Sequence, residues 1–183
     1  MPVATQGRLT QQDATRFQAK LAAITQYGQA SAGNAKPRSI DVTDNEVNSY
    51  LKYSAGAQIP VGIVDPTLTA VGDGRVSGRA IVDLDAVRKQ KKRAWTDPMA
   101  YLSGMLPLTA SGVLTTQNGV GHFQLESAEI SGVPIPKPFL QELLSYYSKT
   151  PENPAGINLD DAFELPARIR EIRVAQGIAT IVQ

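Results

Sequence analysis

The sequence predicts an α+β fold in which a curved antiparallel sheet, built from long hairpins, wraps amphipathic helices on its apolar face. The main observation is a hairpin over residues 106–136 that turns at Asn118-Gly119. Both central residues of a type I′ turn need φ > 0, so Asn-Gly between alternating segments is a strong hairpin signal. The second observation is that helical segments alternate with hairpins, without a strand–helix–strand unit of a parallel sheet. A chain of 183 residues fits a single domain.

Pairing the strands of this hairpin about its turn separates a polar face from an apolar one. The polar face contains Thr109, Ser111, Val113 and Thr115 opposite His122, Gln124, Glu126 and Ala128. The apolar face contains Leu106, Leu108, Ala110, Gly112 and Leu114 opposite Phe123, Leu125 and Ser127. This pattern is typical of an antiparallel sheet that is covered on one face only.

Two capping patterns mark helices in the first part of the chain. The residues from Thr10 to Asp13 predict the start of a helix over residues 10–29, and the residues before it are expected to be flexible. A short strand at 39–42 leads into Thr43 and Glu46, which have the spacing of a capping box. The helix that follows is expected to line one face with Val47, Tyr50, Leu51 and Ser54.

A second hairpin is predicted over residues 63–84, with a three-residue loop at Gly72-Asp73-Gly74. We prefer this loop length because register follows the hydrophobic pattern, and it sorts apolar from polar residues best. One face then contains Val64, Pro66, Leu68, Ala70, Val76, Gly78, Ala80 and Val82.

The remaining segments complete the predicted sheet-and-helix body over residues 39–183. A basic helix is expected over residues 85–94, and Thr96-Asp97-Pro98 restarts a short one, with Pro at the first helical position. An amphipathic helix follows at 136–149, and a last hairpin covers 166–174 and 178–182. Either the helix at 10–29 or the one at 136–149 is expected to be the central helix.

Composition excludes several classes of function. The net charge of +1 gives no global field that would recruit nucleic acid, and the lack of Cys excludes disulfides and thiol chemistry. No apolar run is long enough for a spanning helix, and no signal peptide is recognisable. The start at Met1 fits both a natural start and a start that follows a removed signal or anchor.

The residues suited to catalysis or metal binding do not form a convincing site. His122, the single histidine, is expected on the polar strand face, where an open sheet surface excludes no water and offers no oxyanion hole. A zinc site would need His122 with carboxylates alone. Asp160 and Asp161 fit a loop or helix start. The sequence therefore predicts neither an enzyme nor a cofactor.

One charge cluster is marked, with five cations in six residues followed by the only tryptophan. Basic residues beside an interfacial aromatic can bind anionic headgroups or an anionic membrane surface. A solvated helix face is the alternative interpretation. The members of this cluster are Arg88, Lys89, Lys91, Lys92, Arg93 and Trp95.

Small residues occupy positions on the apolar strand faces where large ones would normally fill a core. They are Ala70, Gly78, Ala80, Ala110 and Gly112. Two interpretations stay open: close packing of helix on sheet or coiling of the strands, and a groove between sheet and helices that accepts an acyl chain.

The strands, turns and prolines of residues 39–183 are similar to a known family. The matching segments are Val42–Leu51, Val64–Leu68, Asp73–Ala80, Gly119-Val120, Ala128–Pro136, Phe139–Tyr147 and Leu165–Val174 with Gly177. On them the chain resembles bacterial lipid-binding domains of the LmeA and YpmS type, related to the tubular lipid-binding superfamily. The resemblance implies an extracytoplasmic protein that holds lipid between a long curved sheet and a helix, without catalytic residues.

The expected function is therefore non-enzymatic binding, with transport between membranes, of a lipid or another long apolar ligand outside the cytoplasm. A structural or protein-interaction module of the cell envelope, with a filled core and no ligand, is the alternative. No oligomeric state is predicted. The expected ligand contacts are Leu68, Ala80, Val82, Leu108, Leu114, Phe123, Leu125, Leu140 and Leu144.

Overall fold

The computed structural model describes residues 7–30, 36–89 and 103–183. The described helices are α1 (Gln11–Gln29), α2 (Asp44–Tyr53), α3 (Leu84–Lys89) and α4 (Lys137–Tyr147). The described strands are β1 (Ser39–Thr43), β2 (Ile63–Gly72), β3 (Arg75–Asp83), β4 (Met105–Gln117), β5 (Val120–Ile130), β6 (Val133–Pro134), β7 (Phe163–Glu164), β8 (Glu171–Ala175) and β9 (Ile178–Val182). Each pair of described strands is antiparallel, which confirms the predicted α+β class.

The described strands form two sheets, where the sequence predicted one. Strands β2, β3, β4, β5 and β6 follow one another in a six-stranded sheet, in which β7 also pairs with β5; this sheet is not closed into a barrel. Strand β1 pairs with β9, and β9 with β8, in a separate three-stranded sheet. The small sheet has a core of its own, because Ile40, Ile172 and Ile181 pack around Ile24 and Ile169.

The hairpin β4–β5 has the predicted turn, but its register changes at a β-bulge. Asn118 and Gly119 have φ of 51° and 82°, as a type I′ turn requires. Leu114 pairs with Phe123, as expected. The pairing then shifts between Ser111 and Gly112, which corrects the predicted positions of Ser127 and Ala128. Because Glu126 is an extra residue in β5, Ala128 pairs with Ala110 and lies on the apolar face.

The hairpin β2–β3 turns through two residues, where we had predicted three. Asp73 and Gly74 have φ of 51° and 77°, and Gly72 pairs directly with Arg75. A bulge beside Ala70 restores the predicted pairing of Ala70 with Val76 and of Leu68 with Gly78. A second register shift, between Val64 and Thr67, places Ile63 opposite Val82, where Val64 had been expected.

The turns of both long hairpins are bonded to the three-stranded sheet. The Gly74 N–H donates to the Val174 carbonyl (3.2 Å), and the Gly119 N–H donates to the Arg170 carbonyl (3.0 Å). The Thr116 hydroxyl donates to the Ile172 carbonyl (3.0 Å) and accepts from the Ile172 N–H (2.7 Å). The six-stranded sheet is thus anchored at its turn end, which we call the proximal end.

Helix α1 packs on the small sheet, and it begins at the predicted cap. The Thr10 side chain accepts from the Asp13 N–H, and Ile24 is buried against Leu165 and Ile169. Neither α1 nor α4 is a single central helix, because α1 packs on the small sheet and α4 packs on the larger one. Leu143 of α4 and Leu84 form a second buried cluster there, with partly buried Val82, Leu106 and Phe139 against it.

The buried face of α2 is polar, contrary to the prediction that Val47, Tyr50, Leu51 and Ser54 form it. The capping box of Thr43 and Glu46 is present, but Glu46, Asn48 and Ser49 are the buried residues. Asn48 faces β2, an edge strand whose outer backbone groups need partners. Glu46 and Ser49 instead face α1, where Glu46 accepts from Lys20 and the Ser49 hydroxyl accepts from the Thr10 N–H. The Asn48 amide donates to the Leu68 carbonyl (2.8 Å) and accepts from the Leu68 N–H (2.7 Å).

The predicted basic helix is described only in its first part, as α3. The parts of this prediction that lie outside the described residues are Lys91, Lys92, Arg93, Trp95 and the restart at Thr96-Asp97-Pro98. The predicted flexible start also lies largely outside them. No helix in the described ranges is both long and apolar enough to cross a membrane.

Candidate functional site

The nine predicted ligand contacts belong to one sheet and the helix beside it. Register places Ala80 directly opposite Leu108, and Leu114 directly opposite Phe123. Residues that face each other in an antiparallel pair point to the same side of the sheet. The strand contacts are Leu68 in β2, Ala80 and Val82 in β3, Leu108 and Leu114 in β4, and Phe123 and Leu125 in β5; Leu140 and Leu144 lie in α4.

This apolar face is only partly covered. Eight of the nine residues are half-buried, and Leu68 is 47% exposed. The buried apolar side chains of the sheet strands are Ala70 and Ala128, and Leu84 is buried at the start of α3. A filled core would hold large apolar side chains out of solvent almost completely. The face therefore keeps apolar surface that the described part of the chain does not cover.

Close packing explains one of the small residues on this face. A Cβ at Gly112 would lie 2.5 Å from Cζ of Phe123 and 2.4 Å from the Gln124 carbonyl oxygen. The Phe123 ring therefore fills the space above Gly112, and no groove exists at this point. At Gly78 the nearest side-chain atom to such a Cβ is Cδ2 of Leu68, at an ordinary contact distance of 3.5 Å.

Helix α4 covers the face at the end remote from the hairpin turns. Its contacts with the sheet region run through Phe139 and Leu143 to Val82, Leu84 and Leu106. The predicted contacts Leu140 and Leu144 are half-buried neighbours of Leu143 on this helix. The helical period identified the helix, but the buried position could not be chosen among adjacent leucines.

A separate open pocket of about 600 Å³ lies between α2, the loop after it and the start of β2. Its apolar lining includes Leu51, Ile59, Ile63 and Val64, and the exposed Lys52 lies at its edge. None of the nine predicted contacts lines it. Sequence patterns did not indicate this pocket, because it depends on how the loop after α2 returns to the sheet.

The polar face of the six-stranded sheet carries an ion pair between β3 and β5. Arg75 Nε donates to Glu126 Oε2 (2.7 Å), and its Nη2 donates to Oε1 (3.1 Å). These hydrogen bonds lower the pKa of Glu126 below its usual range. His122 is exposed opposite Thr115, as predicted. Asp160 pairs with Lys137 at the surface.

The described titratable groups do not form a metal site. No group of three or more metal-ligating side chains occurs in the ranges that the structure describes. Lys20 and Glu46 form the most buried ion pair there, with Nζ 2.8 Å from both carboxylate oxygens. The Lys20 ammonium also donates to the Asp41 carbonyl (2.6 Å), so the pair ties α1 to β1 and α2.

The sequence did not indicate the hydrogen bonds that the polar residues of α2 form with β2. Asp44 accepts from the Ala70 N–H (2.9 Å), beside the Asn48 contacts with Leu68. Burial raises the pKa of Asp44, although this hydrogen bond acts in the opposite direction. The capping box gave the position of the helix but carried no signal of which strand it would cover.

Comparisons with protein-family models, with curated proteins and with solved structures find no match for this chain.

Proposed function

We propose that this protein binds a lipid or another long apolar ligand, without catalysis, on the apolar face of the six-stranded sheet. The observation that carries the proposal is the half-buried state of Ala80, Val82, Leu108, Leu114 and Leu125. Apolar ligand sites are concave and lined mainly by such side chains. A ligand that covers the exposed apolar surface of this face gains about 25 cal/mol for each Å² removed from water.

The resemblance to LmeA- and YpmS-type domains supports an extracytoplasmic location and transport of the ligand between membranes. The lack of Cys suits that location as well as it suits the cytoplasm. Contact with an anionic membrane through the basic cluster belongs to the same proposal. Of that cluster, Arg88 and Lys89 are described: Arg88 pairs with Asp85, and Lys89 is exposed.

The test places larger side chains on the apolar face and measures how much lipid the protein retains. In Ala80→Leu/Ala110→Leu, added side chains occupy the apolar face between β3 and β4. Lipid recovered by solvent extraction and mass spectrometry, and displacement of a fluorescent long-chain fatty acid, should both fall strongly.

The matched control adds similar bulk to the other face of the same strands. Arg79 pairs directly with Thr109 on that face. The variant Arg79→Leu/Thr109→Leu should retain lipid as the unchanged protein does. Equal loss in both variants, or no lipid and no probe binding by the unchanged protein, would contradict the proposal.

A protein-interaction module is the second candidate, and the outer edge of β5 favours it. β7 pairs with β5 at Val120 and Gly121, and β6 pairs at Glu129 and Ile130. No strand of the described residues pairs with this edge between His122 and Ser127. Free edges accept strands from other chains. Recovery of a stoichiometric envelope protein with lipid-free material would favour this function.

A further inference from the structure

We call the end of the six-stranded sheet that is remote from the two hairpin turns the distal end. Several connections between strands lie along it. β2 and β4 begin there, and β3 and β5 end there. The Asp83 N–H donates to the Gly62 carbonyl (2.7 Å), and the Leu84 N–H donates to the Gly104 carbonyl (3.0 Å). The Ser131 N–H donates to the Pro107 carbonyl (2.8 Å).

The distal end exposes the largest apolar side-chain fractions of the described residues. Val133 is 65% exposed, Val61 59% and Met105 56%, and no other large apolar residue in the described ranges exceeds 51%. Val61 precedes β2, Met105 opens β4 and Val133 opens β6. Neighbouring strands lie about 4.8 Å apart, so these residues spread over roughly 20 Å of border.

The connection that starts and ends at the distal end is rich in cations. The connection from β3 to β4 leaves the sheet at Asp83 and returns to it at Met105. In that connection, residues 88–93 contain five cations and no acid. Of these cations, Lys89 is described and exposed, at the end of α3. Exposed aliphatic residues on a segment with cations match the boundary between anionic headgroups and acyl chains.

We infer that the distal end docks end-on against an anionic phospholipid bilayer, with Val61, Met105 and Val133 entering the interface. This inference rests on the proposed function, because a lipid that moves between a membrane and the sheet needs a docked state. The apolar face also reaches this end, since Val82 and Leu106 lie next to Asp83 and Met105. A chain leaving the bilayer would therefore meet the sheet at the edge of α4.

The test uses two pairs of identical substitutions at opposite ends of the sheet. Val61→Thr/Val133→Thr makes the distal end polar and keeps the branched side-chain shape. The control, Val71→Thr/Val120→Thr, changes two exposed valines (43% and 38%) beside the hairpin turns at the proximal end. Flotation with vesicles of phosphatidylglycerol and phosphatidylcholine measures partitioning.

The distal pair should lower partitioning by roughly tenfold, since each valine loses apolar area that would be buried in the bilayer. The proximal pair should leave it unchanged, and pure phosphatidylcholine vesicles should bind less protein than the mixed ones. Unchanged binding by the distal pair, equal loss in both pairs, or no vesicle binding by the unchanged protein would overturn the inference.

Failure of the docking surface and failure of the lipid site give different results. Lipid retained by the purified protein is measured separately, by extraction and mass spectrometry. Retained lipid without vesicle partitioning overturns end-on docking alone. Partitioning that depends on the distal pair, in a protein that never retains lipid, overturns the proposed ligand site and supports docking.

Discussion

Two carboxylates in the first turn of α2 have pKa shifts of opposite direction. Burial raises the pKa of Asp44 above its ordinary value of 3.8. Burial alone would also raise the pKa of Glu46. However, hydrogen bonds from Lys20 and Thr43, with the Lys20 charge, lower it below its ordinary value of 4.5. The lowered pKa of Glu46 stabilises the fold above pH 4.5, and this contribution disappears as the pH falls through the lowered pKa. The contribution of Asp44 is present below pH 3.8 and is lost as the pH rises through the raised pKa.

We expect Glu46→Gln to lower the free energy of unfolding by about 2 kcal/mol near neutral pH, because Lys20 keeps its charge without a carboxylate partner. The difference from the unchanged protein should shrink as the pH falls below 4.5. Urea denaturation at several pH values measures both effects. Asp44→Asn is the control, and its difference should change with pH in the opposite direction. A Glu46→Gln difference that stays constant down to about pH 3 would contradict the assignment.

At the scale of elements, β-bulges decide which side chains share a face. The extra residue Glu126 lets β5 place both Phe123 and Ala128 on the apolar face, although they are an odd number of residues apart. Without a bulge, strict alternation would send one of them to the opposite side. The predicted polar position of Ala128 was wrong for this reason.

Deleting Glu126 should therefore remove the bulge and keep Ala128 and Ile130 on the apolar face, because Phe123 and Ala128 are then an even number of positions apart. The free energy of unfolding of the deletion should then stay close to that of Glu126→Ala, whereas a move of Ile130 to the polar face would lower it by roughly 2 kcal/mol. Glu126→Ala keeps the bulge and loses only its exposed ion pair with Arg75, so its denaturation midpoint should change little. Denaturation of both variants in urea measures the difference. A deletion that is much less stable than Glu126→Ala would show that Glu126 is not the extra residue that sets the register.

Features that depend on neighbouring residues in the chain were predictable from the sequence. Features that depend on contact with another strand or helix were not. Asn118-Gly119 and the Thr43–Glu46 capping box act within four residues, and both are confirmed. The bulge at Glu126 depends on the facing strand. The polar face of α2 depends on two partners, Leu68 in β2 and Lys20 in α1. For the candidate site, alternation identified the apolar strand face, but only packing shows that Phe123 fills the space over Gly112.

At the scale of the whole molecule, a few contacts join the two sheets. The Thr116 hydroxyl bonds both backbone groups of Ile172, and the turns at Gly74 and Gly119 add one bond each to β8 and the residue before it. The division into two sheets was not predicted, because the pairing of β1 with β9 joins segments far apart in the chain. This closure brings Ser39 opposite Val182.

Thr116→Val should weaken the connection between the sheets, since it leaves the N–H and carbonyl of Ile172 without partners. The expected loss is about 2 kcal/mol. Hydrogen exchange should become faster in β8 and β9 than in the centre of β4. Thr115→Val is the matched control, because Thr115 is exposed on the neighbouring position and pairs with His122. Equal exchange in the two variants would show that Thr116 does not couple the sheets.

The anchoring of the hairpin turns makes the long strands resemble a beam clamped at one end. Strand β4 has 13 residues and is about 40 Å long, with its clamp at Thr116 and its free end at Met105. The deflection of such a beam increases with distance from the clamp, so we expect thermal bending to be smallest at the turns and largest where α4 lies. A ligand that enters at this end would bend the distal half of the strands without changing their register near Thr116.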